Sequence, residues 1–167
     1  MVERTRVSLD SGNDRIDAAY QVHRLALLRL GVLLAGREDL AEDLVQEAFE
    51  RAAERLTTLG SDEQRPYLRA TVLNLWRNRL RRLALERKVR HEPLPPQELA
   101  FEERDHLWAA VRRLPTRRRA CLVLRYYEDL TERETADLLG CSIGTVKSQT
   151  SKALSQLKRE LEDEDRG

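Results

Sequence analysis

Between Ser142 and Gln156 the chain presents Thr145, Lys147, Ser148, Gln149, Ser151, Lys152 and Ser155, and no acidic residue. Hydroxyl, amide and ammonium groups hydrogen-bond to base edges and to phosphate oxygens. A stretch without carboxylates has nothing to repel the phosphates. At about 100° per residue, Ile143, Val146, Thr150, Ala153, Leu154 and Leu157 share one face of a helix. Ser148, Ser151, Lys152 and Ser155 occupy the opposite face, flanked by Thr145, Lys147 and Gln149. A helix with this free face suits the major groove of a DNA duplex.

Any helical hairpin has a polar outer face, so the segment before this helix decides the matter. Thr131 followed three residues later by Glu134 forms a capping box, which starts a helix. Gly140 supplies the left-handed residue that ends it, and Ser142 caps the next one. Small Ala136, Gly140 in the turn and branched Val146 are the spacing that lets two helices cross closely in a helix-turn-helix.

A second constellation interleaves amides, an aromatic ring and cations: Asn74, Trp76, Arg77, Asn78 and Arg81. Such groups can stack on or hydrogen-bond to unstacked bases while contacting phosphate. They lie in a basic run, Arg65–Arg90, whose nine cations face only Glu86. Just upstream, Glu38–Glu54 carries seven acids against only Arg51. Solvated helix faces produce runs like these, but an acidic helix beside a basic one also fits one cationic and one polyanionic partner. The net charge of +1 conceals this segregation.

Periodicity places these groups on helices. Apolar residues recur at helical spacing over Ile16–Ala35, and Gly36 can end that helix. Leu40, Leu44, Val45, Ala48, Phe49, Ala52, Ala53 and Leu56 form the stripe of a second helix. Thr57–Arg65 reads as a polar loop, with Pro66 in the first turn of a third helix that runs to about Arg82. That helix turns Leu68, Val72, Leu75, Trp76 and Leu80 inward. Three prolines in Arg90–Leu99 break the pattern and mark a semi-rigid domain boundary. Beyond it, Phe101–Leu114 and Thr116–Tyr127 read as helices before the helix-turn-helix. The expected fold is all-α: two small helical domains, an N-terminal bundle and a C-terminal helix-turn-helix domain, joined by a Pro-containing linker. Each would bury its own modest core, since domains usually run to roughly 100–150 residues and this chain has 167.

Enzymatic chemistry finds no support. His23, His91 and His106 are scattered, and with Cys121 and Cys141 they make no metal-ligand spacing. There is no Gly-rich phosphate loop and no nucleophile elbow. The acids around Glu47 lack the Glu-x-x-His pairs of helical di-iron proteins. Neither a catalytic residue, a metal nor a cofactor is expected. No signal-peptide core opens the chain, and its longest apolar stretch, Leu25–Ala35, is too short to span a bilayer and is interrupted by Arg29. The expectation is a cytoplasmic protein with no membrane insertion, its two cysteines free and packed as small hydrophobes.

These segments, in this order, resemble the extracytoplasmic-function (group IV) sigma factors. AEDLVQEAFERA (Ala41–Ala52) is similar to their second conserved region, and YLRATVLNLWRNRLRR (Tyr67–Arg82) to the helix that melts and reads the −10 element. The stretch from Leu114 to Leu154 resembles the domain that reads the −35 element. VLNLWRNRLRR together with GTVKSQTSKAL is most similar to the actinobacterial SigE-like subgroup. The resemblance implies region 2 at 16–85, a linker at 86–103 and region 4 at 104–161. It implies a factor that brings core RNA polymerase to promoter DNA. Asp39, Glu42, Asp43, Gln46 and Glu47 would meet the β′ clamp helices, and the second domain the β flap. Asn74, Trp76, Arg77, Asn78, Arg81 and Arg82, with the Gly60 loop, would hold the −10 strand. Thr145, Lys147, Ser148, Gln149, Ser151 and Lys152 would read the −35 element. Family members often carry Arg where this chain has Gln149 and Ser151, so its recognition helix is less cationic. Many members are also held by an anti-sigma protein, which adds that class of partner.

A different class remains open on the residues alone. Response-regulator-type DNA-binding regulators use similar C-terminal helices, and they require a phospho-acceptor α/β domain or a ligand pocket upstream.

Overall fold

The computed structural model describes residues 2–87 and 106–164. The proline run at Arg90–Leu99 and the expected helix start at Phe101 lie outside them. Three helices form the first unit: α1 (Val2–Ala35), α2 (Glu38–Leu56) and α3 (Ser61–Arg87). The second contains α4 (His106–Arg113), α5 (Thr116–Leu122), α6 (Glu132–Leu139) and α7 (Ile143–Glu164). The described residues are all-α, as the periodicity required.

In the first unit α1 lies against α2, and α3 covers both. Leu44, Val45, Ala48, Phe49, Ala52 and Leu56 of α2 are buried, the stripe read from the sequence. Tyr20 of α1 meets Phe49 edge-on, with ring centroids 5.0 Å apart. Each buried Leu or Phe contributes roughly 1.5–3 kcal/mol, so this stripe fixes the bundle. Helix α1 begins well before Ile16. An apolar stripe marks only the part of a helix that packs, and no proline interrupts the residues before it.

Helix α3 also starts earlier than expected, which corrects the placing of Pro66. The Gly60 amide donates to the Glu63 carboxylate at 3.0 Å, with Asp62 and Glu63 in the first turn. Acids there favour the positive end of the helix dipole. Pro66 sits inside the helix and exposed, at the cost of one main-chain hydrogen bond.

In the second unit, α5 and α6 pack on α7, as does α4. The expected Thr116–Tyr127 helix is α5 followed directly by a wide π turn, Val123–Tyr127. That turn ends at Asp129, whose φ of 53° swings the chain toward α6.

The expectation of two separate cores is corrected. Most buried apolar side chains form one contiguous cluster running from Leu27 and Leu34 through Trp76 to Leu114, Leu124 and Leu157, with Cys121, Ala136 and Val146 outside it. The units join where α5 meets α1 and α6 meets α3.

Candidate nucleic-acid and polymerase interfaces

The helix-turn-helix is built as its residues required. The Glu134 amide donates to Thr131 Oγ1 at 3.2 Å, and the Thr131 amide donates to Glu134 Oε2 at 2.7 Å. The Thr131 amide and hydroxyl, both donating to Glu134 Oε2, hold the Glu134 carboxyl below its ordinary value of 4.5. Gly140 adopts φ 63°, and its amide and that of Cys141 both donate to the Ala136 carbonyl. Ser142 Oγ then accepts from the Thr145 amide at 3.1 Å and starts α7. Ala136 and Val146 are buried at the crossing.

Helix α7 divides the expected −35 set. Lys147, Ser148, Ser151 and Lys152 are exposed. Thr145 and Gln149 are half-buried and line a cleft between the two units. Lys147 Nζ lies 3.6 Å from Glu132 of α6. On the apolar side, Val146, Ala153 and Leu157 are buried, whereas Ile143 and Leu154 are exposed. Relative to Val146 these two stand roughly 60° and 80° around the helix, at the rim of the stripe.

On α3, Asn74, Asn78, Arg81 and Arg82 are exposed and Arg77 is half-buried. Trp76 had two expected places, the inward stripe and the −10 set, and it takes the inward one. It is 3% exposed, because it stands about 200° around the helix from Asn74 and belongs to the stripe of Leu68, Val72 and Leu75. Its ring is a wall of the core and is not presented for stacking on a base.

The acidic residues of α2 are exposed or half-buried, and Asp39, Glu42, Asp43 and Glu47 are each engaged by a neighbour in this chain. Asp39 takes two bonds from Arg37, at 3.0 and 2.6 Å, which hold its carboxyl below the usual range. Glu42 pairs with Arg24 at 3.6 Å, Asp43 with Arg79 at 3.8 Å and Glu47 with Arg51 at 2.6 Å. Gln46 donates to Glu50 at 3.0 Å. Exposed pairs are worth about 0–1 kcal/mol, so a cationic partner can displace them.

Two features escaped the sequence reading. Leu107, Trp108, Tyr126 and Tyr127 are exposed, and Trp108 stands edge-on to Tyr127 at 5.9 Å. Arg119 is buried between the units, its guanidinium bonded only to main-chain carbonyls among the described residues. An arginine flanked by Ala120, Cys121 and Leu122 was the available signal.

Cys121 is buried, and burial pushes its thiol up to about 11. Among the described residues no group of acids, His and Cys could hold a metal ion, and no helix is long and apolar enough to cross a membrane.

Among the described residues the arrangement is one helix, α7, that carries no acid from Ile143 to Gln156, one basic helix and one acidic helix on a purely helical frame. Residues 19–86 match the sigma-70 region 2 model and residues 104–157 the sigma-70 region 4 model. An RNA polymerase sigma-E factor of Streptomyces antibioticus is 34% identical, over 75% of this chain and 72% of its own. The chain belongs to the extracytoplasmic-function sigma factors. This sigma factor is also 32% identical to the factor EcfG of Rhodopseudomonas palustris, over 89% of this chain and 83% of the relative. Its sigma-E-named relatives place it with the SigE-like kind. In fold it is similar to the sigma factor RpoE of Bartonella quintana, solved in complex with the anti-sigma factor NepR. The TM-score is 0.58 over 87% of this chain and 96% of that one, at 21% identity.

The sigma factor is therefore not an enzyme but an alternative initiation factor. It binds core RNA polymerase and promoter DNA and directs transcription initiation. Of the two upstream features the response-regulator alternative required, a phospho-acceptor α/β domain or a ligand pocket, the first is not met, because the described residues there are three helices.

Proposed function

We propose that this sigma factor reads the −35 element through the exposed face of α7, chiefly Lys147, Ser148, Ser151 and Lys152. Thr145 and Gln149 complete that face at its edge. The observation that carries this reading is the acid-free stretch Ile143–Gln156 of α7, seated behind a capped, glycine-turned α6. On α3, Asn74, Arg77, Asn78, Arg81 and Arg82 hold the −10 strand, while Trp76 anchors the helix from behind. Asp39, Glu42, Asp43, Gln46 and Glu47 meet the β′ clamp helices by exchanging their weak internal pairs for the partner's cations. The exposed Leu107, Trp108, Tyr126 and Tyr127 offer an apolar seat for the β flap. The working units are region 2 at 16–85 and region 4 at 104–161, with the linker at 86–103, and the factor acts in the cytoplasm. An anti-sigma protein, as named for the Bartonella factor, belongs to the same proposal.

Run-off transcription tests this reading. RNA of defined length should appear only when core polymerase, the sigma factor and a promoter template are combined. Equal product from core enzyme alone, or duplex binding without any effect on initiation, overturns it.

A further inference from the structure

The cleft between the units has a charge that none of the surfaces assigned above explains. Its volume is about 740 Å³. Arg37, Arg79, Arg112, Arg113, Arg117 and Arg119 line it, and among the described residues no Asp or Glu does. The chain as a whole holds 29 acids against 30 Lys and Arg, so composition alone would have put acids among them. Three of the six are answered from outside the lining. Arg37 pairs with Asp39, Arg79 with Asp43 and Arg113 with Glu160. Arg112, Arg117 and Arg119 have no carboxylate partner among the described residues.

Surface arginines are ordinary, but these three differ in depth. Arg117 is exposed, Arg112 half-buried and Arg119 buried. Arg119 Nη1 donates to the Arg112 and Leu114 carbonyls at 3.0 and 3.2 Å, and its Nη2 to the Leu34 carbonyl at 3.3 Å. Its Nε is buried and has no partner. The carbonyls satisfy N–H groups without cancelling the charge, and a buried cation with no counter-charge is costly. Arg112 adds to that cost. Desolvation, then the Arg112 charge, lowers the Arg119 pKa to about 10. A buried cation and a half-buried one together, with a third exposed on the same wall, make a seat for a multiply charged anion.

The rest of the lining selects the anion. Guanidinium groups match phosphate oxygens two at a time. A single phosphate would fill little of this cleft, whose volume is that of a site for a larger organic ligand. Away from the arginines the lining is apolar, with Leu40, Leu44, Leu80, Leu83 and Leu139. Thr145 and Gln149 add a hydroxyl and an amide, which can meet both donor and acceptor groups. Duplex DNA is too broad to follow the arginines inward to Arg119, which is 6% exposed. A chain of phosphates joined to a flat, apolar body with polar edges matches all three parts of the lining.

We propose that this cleft is a binding site for a nucleoside polyphosphate. Its phosphates rest on Arg112 and Arg117, backed by the charge of Arg119, and its base lies among the leucines beside Thr145 and Gln149. The site binds and carries out no chemical step. Magnesium usually accompanies such phosphates through one or two carboxylates of the protein. None lines this cleft among the described residues, so the arginines take up that charge and binding proceeds without the metal.

The experiment titrates the full-length chain with GTP and with inorganic tripolyphosphate by calorimetry, in the presence of a chelator. GTP should bind more tightly than tripolyphosphate, by on the order of tenfold for its buried base. Arg112→Gln and Arg117→Gln should each weaken both ligands by roughly tenfold, one charge-assisted contact apiece, and melt as wild type does. Arg118→Gln is the control. Arg118 is bonded to Gln156 and stands outside the lining, so its loss should leave binding unchanged. Cys141 lines the cleft and is half-buried, so bound GTP should slow its modification by a thiol reagent. A lack of saturable GTP binding overturns the site. So does an Arg118→Gln loss equal to that of Arg112→Gln, which means attraction to overall charge. Binding that leaves Cys141 equally reactive places the ligand elsewhere, and equal affinity for tripolyphosphate removes the nucleoside. Promoter binding by the holoenzyme that falls in Arg112→Gln, with GTP unbound by wild type, gives these arginines to DNA phosphate instead.

Discussion

A Cβ on Gly36 would lie 2.7–2.9 Å from the guanidinium of Arg119, so the end of α1 and the buried arginine of α5 leave room only for glycine. Gly36 also sits at φ 72°, where an L-residue is strained by roughly 1–2 kcal/mol. Gly36→Ala should therefore destabilise the protein by about 1–3 kcal/mol, counting the displaced guanidinium. Asn tolerates the left-handed region, so Gly36→Asn should recover only the backbone part. Denaturant unfolding of both variants checks this. An Asn variant as stable as wild type would remove the steric role of Arg119.

The capping box makes the helix-turn-helix sensitive to acid. The Glu134 carboxyl is lowered by its hydrogen bonds from Thr131, so its contribution to stability is present above the unfolded value. It is lost as pH falls through the lower, folded value. Thr131→Ala should cost about 1 kcal/mol near neutrality. Its Glu134 should titrate closer to 4.5, since the hydroxyl bond is gone. Carboxyl chemical shifts followed against pH in both proteins decide the point.

Much of this arrangement was legible because it is local. Thr131, Glu134, Gly140 and Ser142 each bond to a partner no more than four residues away, and the helix-turn-helix they announce is the one observed. Helix α3 was harder. Pro66 is a strong helix-start signal, and it hid the weaker one three to six residues earlier, where Glu63 takes the Gly60 amide. Trp76 carried two signals that disagreed. Its neighbours are amides and arginines, while its spacing from Val72 and Leu75 is that of a core residue, and burial followed the spacing. The joining of the two cores had no local signature. Arg69 and Glu128 are 59 positions apart, and Arg119 and Leu34 are 85 apart. Nothing in either neighbourhood names its partner.

The acidic face of α2 gives a prediction about polymerase. Asp43 and Glu47 are held only by exposed pairs with Arg79 and Arg51. Reversing both charges should leave the fold intact, because such pairs contribute at most about 1 kcal/mol. Affinity for core polymerase should fall by several kcal/mol if these carboxylates meet cations across a desolvated interface. The loss should shrink at high salt. A titration of core enzyme that shows equal affinity for the reversed and wild-type proteins returns these residues to a solvated face.

The two lysines of the recognition helix should behave differently, and the difference tests how DNA is read. Lys147 lies 3.6 Å from Glu132, so part of its charge is already answered within the fold. Lys152 is exposed on the free face beside Ser148 and Ser151. Lys152→Ala should lower promoter binding by the holoenzyme, by roughly 1–3 kcal/mol if the ammonium meets a base edge. In that case preference relaxes at one −35 position and the salt dependence barely changes. If it meets a phosphate instead, all sequences weaken alike and the salt slope falls by about one unit. Lys147→Ala should cost less, since it also releases Glu132 from its pair. The measurement is a titration of −35 variants at two salt concentrations, with both alanine variants in holoenzyme. Lys152→Ala indistinguishable from wild type on every sequence and at both salts would remove α7 as the −35 reader. A Lys147→Ala loss larger than that of Lys152→Ala would shift the reading face toward the α6 side of the helix.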